Sequence, residues 1–112
     1  MATAPREFRI YVTSAGRAPF SEWLDSLNDH RARYAIKARL DRVGLGNLGD
    51  CKPVGEGVDE LRIDLGPGYR VYFGQEGNQI ILLLCGGVKR TQSSDIARAK
   101  AYWKDYRRRS DA

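Results

Sequence analysis

Residues 61 to 73 alternate between apolar and polar side chains on both sides of a short turn, and this pattern constrains the fold more than any other part of the chain. Successive side chains of a strand point to opposite faces of a sheet, so the pattern predicts a β-hairpin with one apolar face. That face consists of Leu61, Ile63, Leu65, Tyr69, Val71 and Phe73. The other face is predicted to be open and carries Arg62, Arg70 and Tyr72.

Turn signals divide this half of the chain into three strands. Residues 66 to 69 fit a type II turn, in which Pro67 sets the first central φ and Gly68 supplies the positive one. The three strands are predicted at residues 59 to 65, 69 to 75 and 79 to 86. The last is apolar on both faces, which predicts a central position in the sheet.

The remaining elements follow from periodicity and capping residues. Residues 8 to 12 alternate as a strand does, and a helix-period stripe begins after Pro19. Asp29 can cap a second helix from about 30 to 45, whereas residues 46 to 58 hold several turn signals and are predicted to be a loop. The final helix is predicted to be capped by Ser93 or Ser94.

These elements predict an α+β fold in the order β-α-α-β-β-β-α. The sheet is predicted to have four strands, mostly antiparallel, with a helical hairpin against it and a C-terminal helix. At 112 residues the chain is predicted to be a single domain, 1–112. The chain has no apolar run of the roughly 20 residues that span a bilayer. Its N-terminus lacks the apolar segment of a secretory signal. These two features predict a cytoplasmic protein without a membrane partner.

The charge favours an anionic partner. Nineteen basic residues against fourteen acidic ones give a net charge of +5, and the excess is concentrated at residues 29 to 42 and 96 to 112. Such clustering favours nucleic acid or an acidic protein, although two solvated helix faces would give the same count. The candidate RNA-binding residues are Arg39, Lys52, Arg90, Arg107 and Arg108.

Several kinds of active site are excluded or disfavoured. His30 is the one histidine, and Cys51 and Cys85 have no second pair, so triads, zinc sites and disulfide frameworks are not indicated. The carboxylates are scattered, and neither a metal nor another cofactor is expected. RNA can still be cleaved by such a chain, because the ribose 2′-hydroxyl lies next to the phosphate that it attacks.

The candidate catalytic residues are Arg62, Arg70, Lys89 and Tyr72. Arginines grip phosphate oxygens bidentately, the lysine can stabilise charge or exchange a proton, and the tyrosine can donate a proton or stack on a base. Alternatively, Arg62 pairs with Asp64 or Glu60 and Tyr72 covers the sheet edge. Spacing alone leaves both interpretations open.

The chain resembles the RelE/ParE superfamily of toxin–antitoxin toxins, and within it the HigB-like branch of addiction-module killer proteins. The resemblance lies in Leu-Arg-Ile-Asp…Gly-Pro-Gly-Tyr-Arg-Val-Tyr-Phe, in the following Leu-Leu-Cys-Gly-Gly, and in residues 47 to 57 before them. It implies a toxin that enters the ribosomal A site and cleaves mRNA. It also implies a neighbouring helix-turn-helix antitoxin, through which alone the toxin would reach operator DNA.

The resemblance also implies roles for individual residues. Arg70 matches the arginine that contacts the scissile phosphate, Lys89 and Arg90 match a basic pair after the last strand, and Arg62 matches a basic strand position approximately. Where RelE has a catalytic tyrosine, this chain has Ile96. A ParE-like inhibitor that binds DNA gyrase and a nonenzymatic RNA-binding module therefore remain as alternatives.

Overall fold

A computed structural model describes residues 5–110 of the chain. The predictions about the extreme ends, including the residues at which a secretory signal would begin, lie outside this range. The elements are β1 (Glu7–Ile10), α1 (Pro19–Ser26), α2 (His30–Gly44), β2 (Cys51–Gly55), β3 (Val58–Ile63), β4 (Tyr69–Glu76), β5 (Ile80–Val88), a 3₁₀ turn (Lys89–Thr91) and α3 (Gln92–Ser110). The predicted α+β class is confirmed.

The strands form one mixed sheet in the order β1-β5-β4-β3-β2. β1 runs parallel to β5, and all other neighbours are antiparallel. The strand predicted to be apolar on both faces, β5, lies inside the sheet as expected. The predicted strands at 8 to 12, 59 to 65, 69 to 75 and 79 to 86 correspond to β1, β3, β4 and β5 with small shifts at their ends.

The prediction of four strands is wrong because residues 46 to 58 are not all loop. Cys51–Gly55 form β2, which pairs with β3 at the edge of the sheet. Pro53 suits an edge strand, where its missing N–H is not needed for pairing. Gly55 and Gly57, with φ of +103° and +85°, make the turn into β3. The glycines that indicated a loop therefore mark only the ends of a strand.

One face of the sheet packs against α1 and α2. The second helix starts where Asp29 accepts hydrogen bonds from the Arg31 and Ala32 amides, at 2.9 and 3.4 Å, as the capping pattern predicted. The buried residues of this layer include Phe20, Ala32, Ile36, Leu40, Val43, Leu61, Ile63, Tyr69, Val71, Phe73, Ile81 and Leu83. The predicted apolar face of the hairpin is thus the inner face of this core.

The opposite face of the sheet packs against α3. Trp103 and Ala99 of this helix are buried there with Tyr11, Val58, Tyr72, Leu82, Leu84 and Cys85. The hairpin face that carries Arg62, Arg70 and Tyr72 was predicted to be open, and this prediction is wrong: Tyr72 has no exposed surface. An uncovered face would leave large apolar side chains of β5 in water, and α3 buries them.

Among residues 5–110, no helix is both long and apolar enough to cross a membrane. The longest, α3, carries basic side chains along its length and three arginines in its last turn.

Candidate nucleic-acid interface

The register of β3 and β4 brings two arginines side by side. Arg62 and Arg70 are directly paired across the two strands, so both side chains project from the face that α3 partly covers. Cβ atoms of such pairs are about 5 Å apart, and like charges at this distance destabilise a sheet unless something compensates them. The two guanidinium groups therefore need a counter-ion or a ligand.

The counter-ion is Glu60, whose side chain has 0% exposed surface. Its Oε1 accepts a hydrogen bond from Arg62 Nε at 2.9 Å. Its Oε2 accepts from Tyr72 Oη at 3.0 Å and from Gln92 Nε2 at 2.8 Å. The prediction that Arg62 pairs with Asp64 or Glu60 is confirmed for Glu60.

These hydrogen bonds keep Glu60 ionised inside the protein. Burial acts to raise its pKa, because water no longer solvates the charged form. The hydrogen bonds from Gln92, Arg62 and Tyr72 outweigh burial and lower this pKa below its usual value. The pKa of the Tyr72 hydroxyl is raised, by burial first and by the Glu60 charge second. At neutral pH the network therefore contains a carboxylate and a protonated phenol.

Arg70 is the less well compensated of the two arginines. Its side chain is only 9% exposed, and its Nε lies 4.0 Å from Glu60 Oε2, beyond hydrogen-bond distance. This buried Nε has no hydrogen-bond partner within residues 5–110. Buried polar groups in proteins are almost always bonded, and an exception calls for an explanation such as a missing ligand. Within residues 5–110, Arg6 Nε is the other buried guanidinium nitrogen without a partner, and Arg70 is the more deeply buried of the two side chains. A buried cation with an unsatisfied donor is consistent with an anion site next to Arg70.

The backbone and Cβ of Lys89 lie against Gly68, in the turn between β3 and β4, on which Arg70 also packs. A Cβ at Gly68 would lie 3.3 Å from Arg70 Nη1 and 3.4 Å from Lys89 Cβ, so the glycine lies between the two side chains. Gly68 has the predicted positive φ, +81°. Its carbonyl accepts from the Lys89 amide at 2.8 Å. We call Arg62, Arg70 and Lys89 the sheet cation site.

A second polar network holds the turn that carries Lys89. The Thr91 hydroxyl contacts the backbone of Val88 and donates to Asp95 Oδ2 at 2.5 Å. Asp95 is buried against Gly87, where an added Cβ would lie 1.8 Å from Oδ2. The Gly-Gly-Val-Lys-Arg-Thr segment therefore folds back tightly at the end of β5, and α3 begins at Gln92 instead of the predicted Ser93 or Ser94 cap.

No protein-family model matches the chain. The chain is similar to an uncharacterized protein of Haemophilus influenzae, with 49% identity over 81 residues that cover 72% of this chain and 82% of the relative. The chain belongs to the family of that protein. An identity this high means that the two chains share a fold over the 81 matched residues.

The other predicted RNA-binding residues are distributed over different parts of the molecule. Lys52 is exposed on β2 and pairs in register with Glu60, which places it on the same sheet face as the sheet cation site. Arg90 is exposed beside Lys89. Arg39 instead donates to the carbonyls of Arg62 and Leu48 at 2.7 and 3.1 Å, so two of its nitrogens hold backbone.

Arg107 and Arg108 lie near the far end of α3. At 1.5 Å per residue, Arg107 is about 22 Å along the helix from Gln92. Its guanidinium lies 5.7 Å from the centre of the Trp103 ring, and Arg108 pairs with Asp105 at 3.1 Å. We call Arg107, Arg108 and Arg109 the helix cluster. The structure does not bring these residues together with the sheet cation site.

Sequence reasoning did not include Glu60 or Gln92 among the candidate site residues. Glu60 was considered only as an alternative partner of Arg62, although its position two residues earlier on a strand puts it on the same face. Gln92 could not be found from sequence, because its contact with Glu60 depends on how α3 crosses the sheet.

Proposed function

We propose that this chain is the toxin of a type II toxin–antitoxin system, in the HigB-like branch of the RelE/ParE superfamily, and that it cleaves mRNA on the ribosome. The single observation that carries the proposal is the unsatisfied, mostly buried guanidinium of Arg70, with Arg62 beside it and Lys89 across Gly68. Two paired arginines with the base of a lysine side chain close by suit a phosphate group. The RelE-like arrangement that we infer consists of β1, β3, β4 and β5, with β2 as an added edge strand.

The reaction needs little covalent chemistry from the protein. The ribose 2′-oxygen attacks the adjacent phosphorus and loses its proton, while the 5′-oxygen of the next nucleotide leaves and gains one. The products are a 2′,3′-cyclic phosphate and a 5′-hydroxyl. In the proposed reaction, Arg70 and Arg62 hold the non-bridging oxygens and stabilise the added charge of the phosphorane, and Lys89 assists proton transfer.

Tyr72 supports this site instead of touching RNA. A base-stacking surface or a proton donor must be exposed, and Tyr72 has 0% exposed surface and donates to Glu60. Since general acid–base catalysis contributes about 10²–10⁴-fold, a site without an exposed tyrosine depends mainly on alignment and charge.

The burial of Tyr72 also favours a second candidate function. A ParE-like protein that inhibits DNA gyrase by binding needs no proton donor, and the same cations would then contact an acidic surface or DNA. The nonenzymatic RNA-binding module remains a third possibility, on the same ground.

A cleavage assay separates the three functions. Purified chain is added to ribosomes programmed with a defined mRNA, with the mRNA alone in parallel, and the RNA ends are mapped. We expect cuts at discrete codons that require ribosomes, with 5′-hydroxyl and cyclic phosphate ends. Intact mRNA together with gyrase-linked DNA breaks would establish the second function. Intact mRNA and unaffected gyrase, with RNA retained on the protein, would establish the third.

The proposed partner is a small helix-turn-helix antitoxin that neutralises the toxin. With a net charge of +5 on this chain, we expect acidic stretches on the antitoxin and an association rate that falls with salt. Co-expression with a short helix-turn-helix reading frame adjacent to the gene should restore growth. Growth inhibition that persists with the adjacent protein present would argue against the toxin–antitoxin assignment.

A further inference from the structure

We propose that Glu60 is a positioning residue, which holds the guanidinium of Arg62 by its Nε edge so that its two terminal nitrogens are free for a phosphate. The inference rests on the proposed function of the sheet cation site. It adds a fixed anion beside the sheet cation site, and it gives a role to a charged side chain that has no exposed surface.

The contact with Arg62 is selective for one nitrogen. Glu60 Oε1 accepts from Arg62 Nε, and the two terminal nitrogens of Arg62 donate to no other group within residues 5–110. Neither of them is among the buried atoms that lack a partner, and the Arg62 side chain is 30% exposed. A guanidinium carries five donors in a flat fork, so a carboxylate on the Nε side leaves the opposite edge for bidentate binding.

The same carboxylate compensates Arg70 without bonding to it. At 4.0 Å the Coulomb attraction between Glu60 Oε2 and Arg70 Nε reduces the repulsion between the paired arginines. Because Glu60 makes no hydrogen bond to Arg70, it leaves the two terminal nitrogens of Arg70 to another ligand, and neither of these is among the buried atoms without a partner. Glu60 thus lets two cations stand on adjacent strands before any phosphate is present.

Groups on two other elements fix the carboxylate itself. Tyr72 on β4 and Gln92 at the start of α3 both donate to Oε2, the oxygen 4.0 Å from Arg70 Nε, and these two bonds hold the carboxylate in place. Its position is therefore determined by β4 and α3 together.

Two measurements test this role. In the first, the Nε–Hε NMR signals of wild-type chain are followed during titration with a 2′-O-methylated oligoribonucleotide, which binds but cannot be cleaved. We expect the Arg62 Hε signal to keep its hydrogen-bonded position at saturation, while Arg70 shifts. In the second, Glu60→Gln is compared with wild type for oligonucleotide affinity and for single-turnover cleavage on the ribosome.

Glu60→Gln keeps the shape of the side chain but removes its charge. We expect its affinity for the oligonucleotide to be unchanged or up to about 10-fold higher, because net positive charge increases, and its cleavage to be slower by at least about 10-fold, because Arg62 is no longer fixed. The matched control is Asp64→Asn, which changes the net charge equally at an exposed position outside the network. It should cleave at the wild-type rate.

Two results would overturn the inference. If the bound oligonucleotide breaks the Arg62–Glu60 contact, Glu60 competes with phosphate instead of positioning the arginine. If Glu60→Gln cleaves as fast as wild type, the fixed anion is not needed, although mRNA cleavage itself would stand. Should the wild-type chain not cleave mRNA, the proposed function fails while the titration still decides the role of Glu60. The titration also remains available if Glu60→Gln does not fold.

Discussion

The sheet cation site and the helix cluster are both basic, and they are built differently. In the first, Arg62 and Arg70 are largely buried, share one carboxylate, and come from two strands that the fold brings together. In the helix cluster, Arg108 and Arg109 belong to one exposed helical turn and both pair with Asp105 of that turn. The Arg108 side chain is 78% exposed.

The two regions differ in their effect on stability. Burying the guanidinium groups of the sheet cation site costs free energy, whereas the exposed arginines of the helix cluster cost almost none. Removing a guanidinium from water is unfavourable by several kcal/mol, and exposed pairs contribute about 0–1 kcal/mol. Within residues 5–110, Arg70 Nε is buried without a hydrogen-bonded partner, so the Arg70 guanidinium is held at a cost to stability. Clusters of basic residues in a sequence do not carry the same information, because solvated helices produce them freely.

Arg70→Ala is expected to have the largest effect on cleavage, and it should distinguish the sheet cation site from the helix cluster. In the proposed mechanism Arg70 stabilises the transition state, and its removal should lower cleavage on the ribosome by about 100- to 1,000-fold. Growth inhibition should be lost with it. Arg31→Ala, an exposed arginine at the start of α2, is the matched control and should retain cleavage. Full toxicity of Arg70→Ala would remove the sheet cation site from the mechanism.

Glu60→Ala should have the next largest effect, this time on stability. It leaves Arg62 and Arg70 adjacent without a counter-ion, and breaking buried ion pairs costs about 3–5 kcal/mol. Urea unfolding at neutral pH measures the change. An unfolding free energy within about 1 kcal/mol of wild type would mean that water or a rearranged side chain replaces the carboxylate.

The pH dependence of the unfolding free energy also tests the contribution of the Glu60 carboxylate. Since the pKa of Glu60 is lower in the folded protein than in the unfolded chain, its contribution is complete above the usual value of about 4.3 and is lost as the pH falls through the lowered pKa. Urea unfolding from neutral pH down to about pH 3 should show this loss, and Glu60→Gln should flatten it in part. The lowered pKa values of Asp105 and Glu22 should keep some dependence.

Gly87→Ala should have an intermediate effect through the turn that carries Lys89. The new Cβ would collide with Asp95, which must move and release Thr91. Overpacking of this kind costs about 1–3 kcal/mol. We expect a lower melting temperature together with slower cleavage. Gly77→Ala is a useful comparison, because a Cβ there meets nothing within 4 Å, although its φ of +55° adds some strain. Equal cleavage by the two variants would contradict the proposed role of the turn.

The smallest effect is expected for Arg107→Ala and Arg108→Ala. Surface substitutions usually change the unfolding free energy by less than about 0.5 kcal/mol. Cleavage by either variant should stay within about 3-fold of wild type. Both side chains are on the last turns of α3, about 22 Å or more along the helix from Gln92, which contacts the sheet cation site through Glu60. A loss comparable with that of Arg70→Ala would show that the helix cluster contacts the substrate directly.

The sequence predicted the class of fold and most of its elements, because alternation, the Asp29 cap and the glycine turns are local signals. It also identified the arginines, the lysine and the tyrosine that share one end of the sheet. It failed where a contact depends on packing between distant elements. Three features depend on such packing: α3 covers Tyr72, Gln92 donates to Glu60, and β2 pairs with β3 at the edge of the sheet.

The salt dependence of binding to a 2′-O-methylated oligoribonucleotide tests most directly whether the sheet cation site holds phosphate. For single strands, the slope of log K against log salt changes by about 0.7 for each phosphate contact that is lost. We predict a slope shallower by about that amount for Arg70→Ala and an unchanged slope for Arg108→Ala. An unchanged slope for Arg70→Ala together with a shallower one for Arg108→Ala would contradict the proposal.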